Sequence, residues 1–208
     1  FCDEVTSALD PQITKEILAL LQKINREFKG YEPRKALLTD ITYLFYHGGV
    51  CYLSPILDVC THEALAYELS DNLKVDFVLT MVDDLCEKYG AELDDTVIIH
   101  SDQGCHYTSK AFIAKLKEEG FVQSMSRKGN CWDNAPQESF FGHMKDEIDL
   151  SECTSFEDVY HVITEWANYY NYERYQWDLA RLAPAEYYNY LATGKYPLHI
   201  PKPNGSSK

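Results

Sequence analysis

The stretch between Thr96 and Lys145 constrains the fold of this chain more than any other part of the sequence. It opens with Thr96-Val-Ile-Ile-His100, a short apolar and β-branched run that is typical of a strand covered on both faces. Asp102 follows directly, next to a tight Gln103-Gly104 turn. Because α/β folds tend to place their sites at the ends of such strands, we interpret Asp102 as a candidate functional residue.

The middle of this stretch predicts a helix and then another strand. Ser109 is a suitable helix cap, and the apolar side chains of Phe112, Ile113 and Leu116 are expected to point inward. Phe121–Met125 follows as a short strand candidate. The order strand, helix, strand indicates a mixed α/β domain.

A locally basic segment comes next. Residues 122–132 contain no acidic residue, although acids dominate the chain, and they include Arg127 and Lys128. We interpret this segment as a candidate phosphate-contacting loop. On composition alone, an ordinary solvated basic loop is an equally good interpretation.

The helix that follows carries an acid and a base at a regular spacing. Asn134 is the predicted cap, a proline lies inside the first turn, and Gln137 occupies the capping-box position. Glu138 comes next, and Lys145 lies two turns further along the same face. By itself this spacing fits a solvated helix face.

Upstream, two β-like segments indicate a hairpin. Thr39–Tyr46 and Val50–Leu57 are rich in β-branched and aromatic residues and flank His47-Gly48-Gly49. Asp40 is expected at the start of the first strand. A lone aspartate there is usually a turn residue, so Asp40 becomes a candidate only together with the later acids. A third strand and a helix are predicted after the hairpin, at Ala64–Leu69 and Lys74–Tyr89.

The two ends of the chain have a different character. Residues 1–30 contain an amphipathic helix closed by Gly30, which is expected to pack on the core or on a partner. The helices predicted at Ser155–Tyr170 and Pro184–Leu191 are rich in aromatic residues, for which packing is favoured over stacking on bases. We therefore divide the chain into an N-terminal helix and linker at 1–30, a core at 31–195 and a polar tail at 196–208.

Composition limits the class of protein. With 45% hydrophobic residues the chain is globular, and no apolar run reaches the ~18 residues that a membrane span needs. The seven cysteines form no C-x-x-C pair, so reduced thiols in a cytoplasm are expected rather than a zinc site or disulfides. The net charge of −14 weighs against general nucleic-acid affinity. Two interpretations stay open: the chain binds DNA through a local basic strip, or a basic DNA-binding module is missing from it.

Three segments carry a resemblance to a known family. TDITYL, HSDQGCHYTS and SMSRKGNCWDNAPQESFFGHMK closely resemble the catalytic subunit of bacterial insertion-sequence transposases of the DDE, retroviral-integrase-like class. The 35 residues between Asp102 and Glu138 agree with the spacing in that class. The closing segment YNYERYQWDLARLAPAEYY also resembles these proteins, and the likeness extends over residues 22–191.

The resemblance implies a fold and a chemistry. The expected fold is α/β and RNase H-like, a mixed five-stranded sheet flanked by helices. The expected activity is metal-dependent DNA cleavage and 3′-OH strand transfer, with Asp40, Asp102 and Glu138 as catalytic ligands of two Mg²⁺ or Mn²⁺ ions. The expected contacts to DNA fall on basic and polar residues of the segment described above: Lys145, Arg127, Lys128 and Asn134.

The same resemblance implies partners and a location. These are element-end and target DNA, a homodimer or higher oligomer, no membrane, and a bacterial cytoplasm with association to the nucleoid. Residues 1–30 show no helix-turn-helix. Just before Thr39-Asp40, where the family usually has an aromatic residue, this chain has Leu38. These departures indicate an isolated core. Two alternatives stay open: a truncated or domesticated copy that binds partners without catalysis, and an RNase H-like nuclease that cleaves without joining.

Overall fold

The computed structural model describes residues 32–125 and 135–197, and its elements are numbered here along those residues. The strands are β1 Ala36–Thr39, β2 Thr42–Tyr46, β3 Gly49–Asp58, β4 Ala64–Ser70, β5 Ile98–Ser101 and β6 Val122–Met125. The helices are α1 Asp76–Tyr89, α2 Lys110–Glu118, α3 Ala135–Glu147, α4 Phe156–Tyr172 and α5 Pro184–Thr193, with a 3₁₀ turn at Trp177–Leu179.

The sheet is mixed, and its strand order contains one interrupted strand. β1 pairs in parallel with β5, β5 pairs in parallel with β6, and β3 pairs antiparallel with both β1 and β4. β2 also pairs with β3, and it continues the register of β1: Thr39 lies opposite Ile56 and Thr42 opposite Leu53. β1 and β2 therefore form two halves of one strand, broken at residues 40–41. The six segments make five strand positions, which confirms the predicted five-stranded mixed sheet and RNase H-like fold.

Two hydrophobic clusters cover the two faces of the sheet. Neighbouring residues of a strand point to opposite faces, and accordingly Ile56 belongs to the first cluster and Leu57 to the second. The first cluster packs α1 and α2 on the sheet, whereas the second packs α3 and α4. In the second cluster the Phe140 ring lies 5.1 Å from that of Trp166 and 4.8 Å from that of Tyr170. This aromatic packing fixes α3 against α4.

Most predicted elements are present, with two corrections. The hairpin around His47 and the Ser109 cap are confirmed, since the Ser109 hydroxyl accepts the Phe112 N–H at 3.1 Å. Ile113 was expected to point inward, but it is 43% exposed. The short α2 buries Phe112 and Leu116, which lie one turn apart, and residue 113 is rotated about 100° from Phe112 and about 60° from Leu116. Asp40, predicted at the start of a strand, lies instead in the break between two strands.

Several predictions concern residues outside the described part of the chain. These are the N-terminal helix within 1–30, the polar tail beyond residue 197, and the segment with Arg127, Lys128 and Asn134. Within the described segments, no helix combines the length and apolarity that crossing a bilayer requires.

Candidate active site

Asp40 and Asp102 leave neighbouring parallel strands at the same edge of the sheet. Leu38 of β1 lies opposite His100 of β5, and each aspartate comes two residues after this pair, directly after the last residue of its strand. Paired strands run 4.7–4.9 Å apart, so continuation of this register places the two aspartates side by side. The strand ends thus bring together two of the three acids predicted from the sequence.

The loop that carries Asp102 is held by short hydrogen bonds. The Oδ1 atom of Asp102 accepts the Gly104 N–H at 2.8 Å, and the Gly104 carbonyl accepts both the N–H and the hydroxyl of Thr108 at 3.0 Å. A Cβ atom at position 104 would lie 2.8 Å from Oδ1 of Asp102, closer than such contacts occur. Glycine at this position therefore allows the Asp102 carboxylate to fold onto its own loop.

A buried hydroxyl network lies directly beneath Asp40, and sequence reasoning did not identify it. The hydroxyls of Thr39, Ser54 and Tyr107 lie 3.1–3.3 Å from one another in all three pairs. Burial raises the pKa of the Tyr107 phenol, so it acts as a neutral hydrogen-bonding group. The network ties the residue before Asp40 to β3 and to the loop after Asp102.

Glu138 reaches the site from the opposite layer of the fold. It lies in the first turn of α3 and is exposed, while its neighbours Phe140 and Met144 are buried in the second cluster. Gln137, beside it, is fully buried, and neither amide atom has a hydrogen-bond partner within the described part of the chain. We have no physical account of this buried amide.

The three acids are coupled electrostatically. Burial is the main cause that raises the pKa of Asp40 to about 6, and the negative charges of Asp102 and Glu138 contribute in the same direction. The Ile41 N–H, which donates to Asp40 Oδ1 at 2.8 Å, lowers that pKa. The site therefore concentrates negative charge that a bound cation would neutralise.

The carboxylate oxygens of the three acids suit a hard cation, but the acids do not form a closed cage around one. Mg²⁺ takes carboxylate oxygens, usually one or two, and keeps several waters. Among residues 32–125 and 135–197, no three His, Cys, Asp or Glu side chains converge tightly enough to hold an ion. A half-buried acid in the strand break, an exposed acid on a loop and an exposed acid on a helix could therefore supply oxygen ligands, but without a preformed cage.

Lys145, the predicted DNA contact on α3, lies at a groove between β2 and the end of α3. The groove has a volume of about 300 Å³, and its lining combines Lys145 with apolar side chains of β2 and of the segment after α3: Tyr43, Leu44, Phe45, Ile148 and Leu150. Lys145 is exposed and forms no ion pair with another residue of the described segments.

Comparison with solved structures identifies the fold. The catalytic core of HTLV-2 integrase in complex with magnesium, in its dimeric form, matches with a TM-score of 0.56 at 13% identity, covering 76% of this chain and 99% of that one. A simian T-cell lymphotropic virus intasome with a PP2A regulatory subunit matches with a TM-score of 0.61 at 13% identity, over 86% and 61%. The described part of the chain thus has the fold of integrase catalytic cores.

Sequence comparison gives the family. Residues 30–131 and 119–184 match integrase core domains. A transposase-like protein of Haemophilus influenzae is 37% identical over 166 residues, 79% of this chain and 75% of that protein. The InsK protein of insertion sequence element IS150 from Escherichia coli K12 is 38% identical over 167 residues, 80% of this chain but 58% of InsK. The chain belongs to the integrase-core family of bacterial insertion-sequence transposases.

Proposed function

We propose that this chain is the catalytic core of a transposase, which cleaves a DNA strand and joins the freed 3′-OH to target DNA. The observation that carries the proposal is the coupling of three acids: a largely buried Asp40 carboxyl facing the charges of Asp102 and Glu138 at the end of paired strands. Carboxylates held close against their mutual repulsion are typical of sites for divalent cations.

In this proposal Asp40, Asp102 and Glu138 hold two divalent ions, Mg²⁺ or Mn²⁺. When bound, such ions activate an attacking oxygen and stabilise the leaving oxygen of an in-line phosphoryl displacement. The acids themselves form no covalent bond to DNA, so one site serves both water and a 3′-OH as nucleophile. Asp102 is positioned for this by the Gly104 N–H, and Asp40 by the hydroxyl network beneath it.

Contacts to DNA are assigned to basic and polar residues that lie between Asp102 and Glu138 in the sequence, or two turns beyond Glu138. Lys145 would meet a backbone phosphate, since its ammonium lies at the groove on the same helix as Glu138. Arg127, Lys128 and Asn134 remain proposed contacts on the sequence alone. We further infer action on chromosomal DNA in a bacterial cytoplasm and assembly of at least two copies, because two element ends require two sites.

The test is nicking and joining of branched DNA in Mg²⁺ and in Mn²⁺, which needs no knowledge of element ends. Wild type is compared with Asp102→Asn and with Glu118→Gln, an exposed acid on α2 that serves as a charge-matched control. We expect nicking and joining in wild type and the control, and neither in Asp102→Asn. Full activity of Asp102→Asn would refute the acid assignment.

The same assay separates the alternatives. Cleavage without joining would favour the RNase H-like nuclease. DNA binding without any cleavage in either metal would favour a non-catalytic copy that acts through its contacts.

A further inference from the structure

The groove beside Lys145 has features that the proposed acid chemistry does not use. Phe45 on β2 is 74% exposed and Tyr43 is 47% exposed, although large aromatic side chains usually bury most of their surface. Both project from the same face of β2, two residues apart, and both line the groove with Lys145. Leu44, between them, packs in the second cluster with α3, so the two rings lie on the face of β2 away from α3. The groove therefore runs around the open edge of β2, between the exposed rings and Lys145.

The groove is built from the two elements that begin beside the acids of the candidate active site. β2 begins two residues after Asp40, and α3 begins with Glu138 in its first turn. Along β2, Tyr43 and Phe45 lie about 10 and 17 Å beyond Asp40, and along α3 Lys145 lies about 10 Å beyond Glu138. Both elements thus begin at the coupled acids and reach the same groove. The distance from the acids to the groove residues corresponds to about three to five nucleotides of a stacked strand.

The walls of the groove are fixed before any ligand binds. At the hairpin tip, the His47 N–H donates to the Cys153 carbonyl at 3.1 Å, and a Cβ on Gly48 would lie 2.4 Å from the Thr154 carbonyl oxygen. The tip is therefore packed closely on the loop before α4. The Tyr43 ring is held edge-on to Tyr52, with centroids 5.0 Å apart. Such anchoring lowers the cost of ordering an exposed ring on binding.

We propose that Phe45 and Tyr43 form a stacking platform for bases of the DNA strand that leaves the acid site, while Lys145 holds a phosphate of the same strand. The inference rests on the proposed function, because it takes DNA as the substrate of the neighbouring acids. An ammonium group with no ion-pair partner in the described segments complements a phosphate, and aromatic faces accept bases of any sequence. The platform would select a strand with unpaired bases next to the cleavage site.

The other edge of β2 suggests a competing occupant, which the experiment must separate. β2 pairs with β3 alone among the described strands, so its second edge is open along the groove. A polypeptide strand could pair there. The cation and the start of both groove elements beside the acids favour DNA.

The experiment is a binding titration with branched DNA that carries 2-aminopurine at successive positions of its unpaired arm. All variants are made in the Asp102→Asn chain so that the DNA stays intact. Phe45→Ala and Phe45→Leu remove the ring, Phe45→Trp keeps an aromatic face, and Trp177→Ala is the control. Trp177 is 80% exposed in the loop bonded to the β3–β4 turn, at the end of the sheet away from Asp40.

We expect Phe45→Ala and Phe45→Leu to weaken binding about 5- to 100-fold and to abolish the 2-aminopurine quenching at one or two positions. Phe45→Trp should bind within about twofold of its parent, and Trp177→Ala should bind unchanged. Because Phe45 is exposed, all variants should keep the parent's denaturation midpoint.

Three results would overturn the proposal. Unchanged affinity of Phe45→Ala would show that the ring does not meet DNA, and parental affinity of Phe45→Leu would show apolar contact without stacking. If a Phe45 variant lost self-association in sedimentation but kept its DNA affinity, the β2 edge would be assigned to a polypeptide. Failure of the proposed function would give a different result. The wild-type chain, with Asp102 intact, would bind the branched DNA and quench its 2-aminopurine as predicted but would never nick it.

Discussion

Arg34 offers the sharpest test of how the sheet is anchored below the candidate site. This residue precedes β1 and is 5% exposed. Its guanidinium lies 3.0 Å from the Glu63 carboxylate, which is an ion-pair distance, although the two groups lack hydrogen-bond geometry. Its backbone N–H donates to the buried Asp58 carboxylate at 2.9 Å. The guanidinium also lies 4.5 Å from the Tyr89 ring centroid and 4.3 Å from that of Tyr188. One cation therefore compensates two buried acids and joins α1 to α5.

Arg34→Met keeps most of the volume and removes the charge. Breaking a buried pair from one side typically costs about 3–5 kcal/mol, because the remaining charge stays buried. The two lost ring contacts add about 0.5–2 kcal/mol each, with overlap between the two costs. We expect a loss of about 4 kcal/mol, a large share of the 5–15 kcal/mol that is typical of a domain.

The assay is urea denaturation of four chains: wild type, Arg34→Met, Glu63→Met and the double variant. The double variant should recover at least about 2 kcal/mol relative to Arg34→Met, since it no longer buries the Glu63 charge. Burial already raises the pKa of Glu63 in the native state, more than Arg34 lowers it. In Arg34→Met the pKa of Glu63 is higher in the native state than in the unfolded state, so the native state becomes more stable as pH falls. The loss of unfolding free energy relative to wild type should therefore shrink in acid. A loss below about 1 kcal/mol, or a double variant no more stable than the single, would refute the reasoning.

The remaining predictions concern the candidate site. Gly104→Ala should lower metal-dependent nicking at least about tenfold with little change in denaturation midpoint, because its Cβ displaces the Asp102 carboxylate; wild-type activity would contradict this. Tyr107→Phe should cost about 1–2 kcal/mol in urea denaturation by leaving Thr39 short of a buried partner; a neutral effect would show that the network adds no stability. Asp40→Asn should stabilise the metal-free chain by up to about 3 kcal/mol at pH 7. Since the raised pKa of Asp40 makes native stability fall as pH rises from about 4 to 6, the advantage should vanish near pH 4; an advantage independent of pH would contradict it.

Sequence patterns predicted the elements far better than the contacts between them. Hairpin chemistry at residues 47–49 and the cap at Ser109 are local signals, and both were read correctly. The hydroxyl network of Thr39, Ser54 and Tyr107 joins residues 15 to 68 positions apart, and no local pattern reports such a contact. The strand break after Thr39 was missed for a similar reason: the β-like composition of residues 39–46 runs through it without interruption.

The acids themselves illustrate the same limit. Their residue types and spacing carried the resemblance to a family, whereas their mutual distance depends on packing from both faces of the sheet. That the site is coupled yet more open than a closed cage follows from the structure alone. The relative placement of Glu138 could not have been inferred from the 35 residues that separate it from Asp102.

The two hydrophobic clusters share the work of assembling this site, and a matched pair of residues can separate their contributions. Leu85 in the first cluster and Met144 in the second are both fully buried. Replacing either by alanine should cost about 2–5 kcal/mol. Met144, however, lies on the helix that brings Glu138 towards the aspartates, and repulsion within the acid site pushes against that packing.

A more loosely packed second cluster allows Glu138 to move away from the two aspartates. This movement reduces the repulsion between the acids and recovers part of the lost stability, but it lowers metal-dependent activity. Met144→Ala should therefore lose more nicking activity per unit of lost stability than Leu85→Ala, measured by denaturation and by the branched-DNA assay on the same preparations. Equal loss of activity at equal loss of stability would show that Glu138 is placed independently of the cluster beneath it.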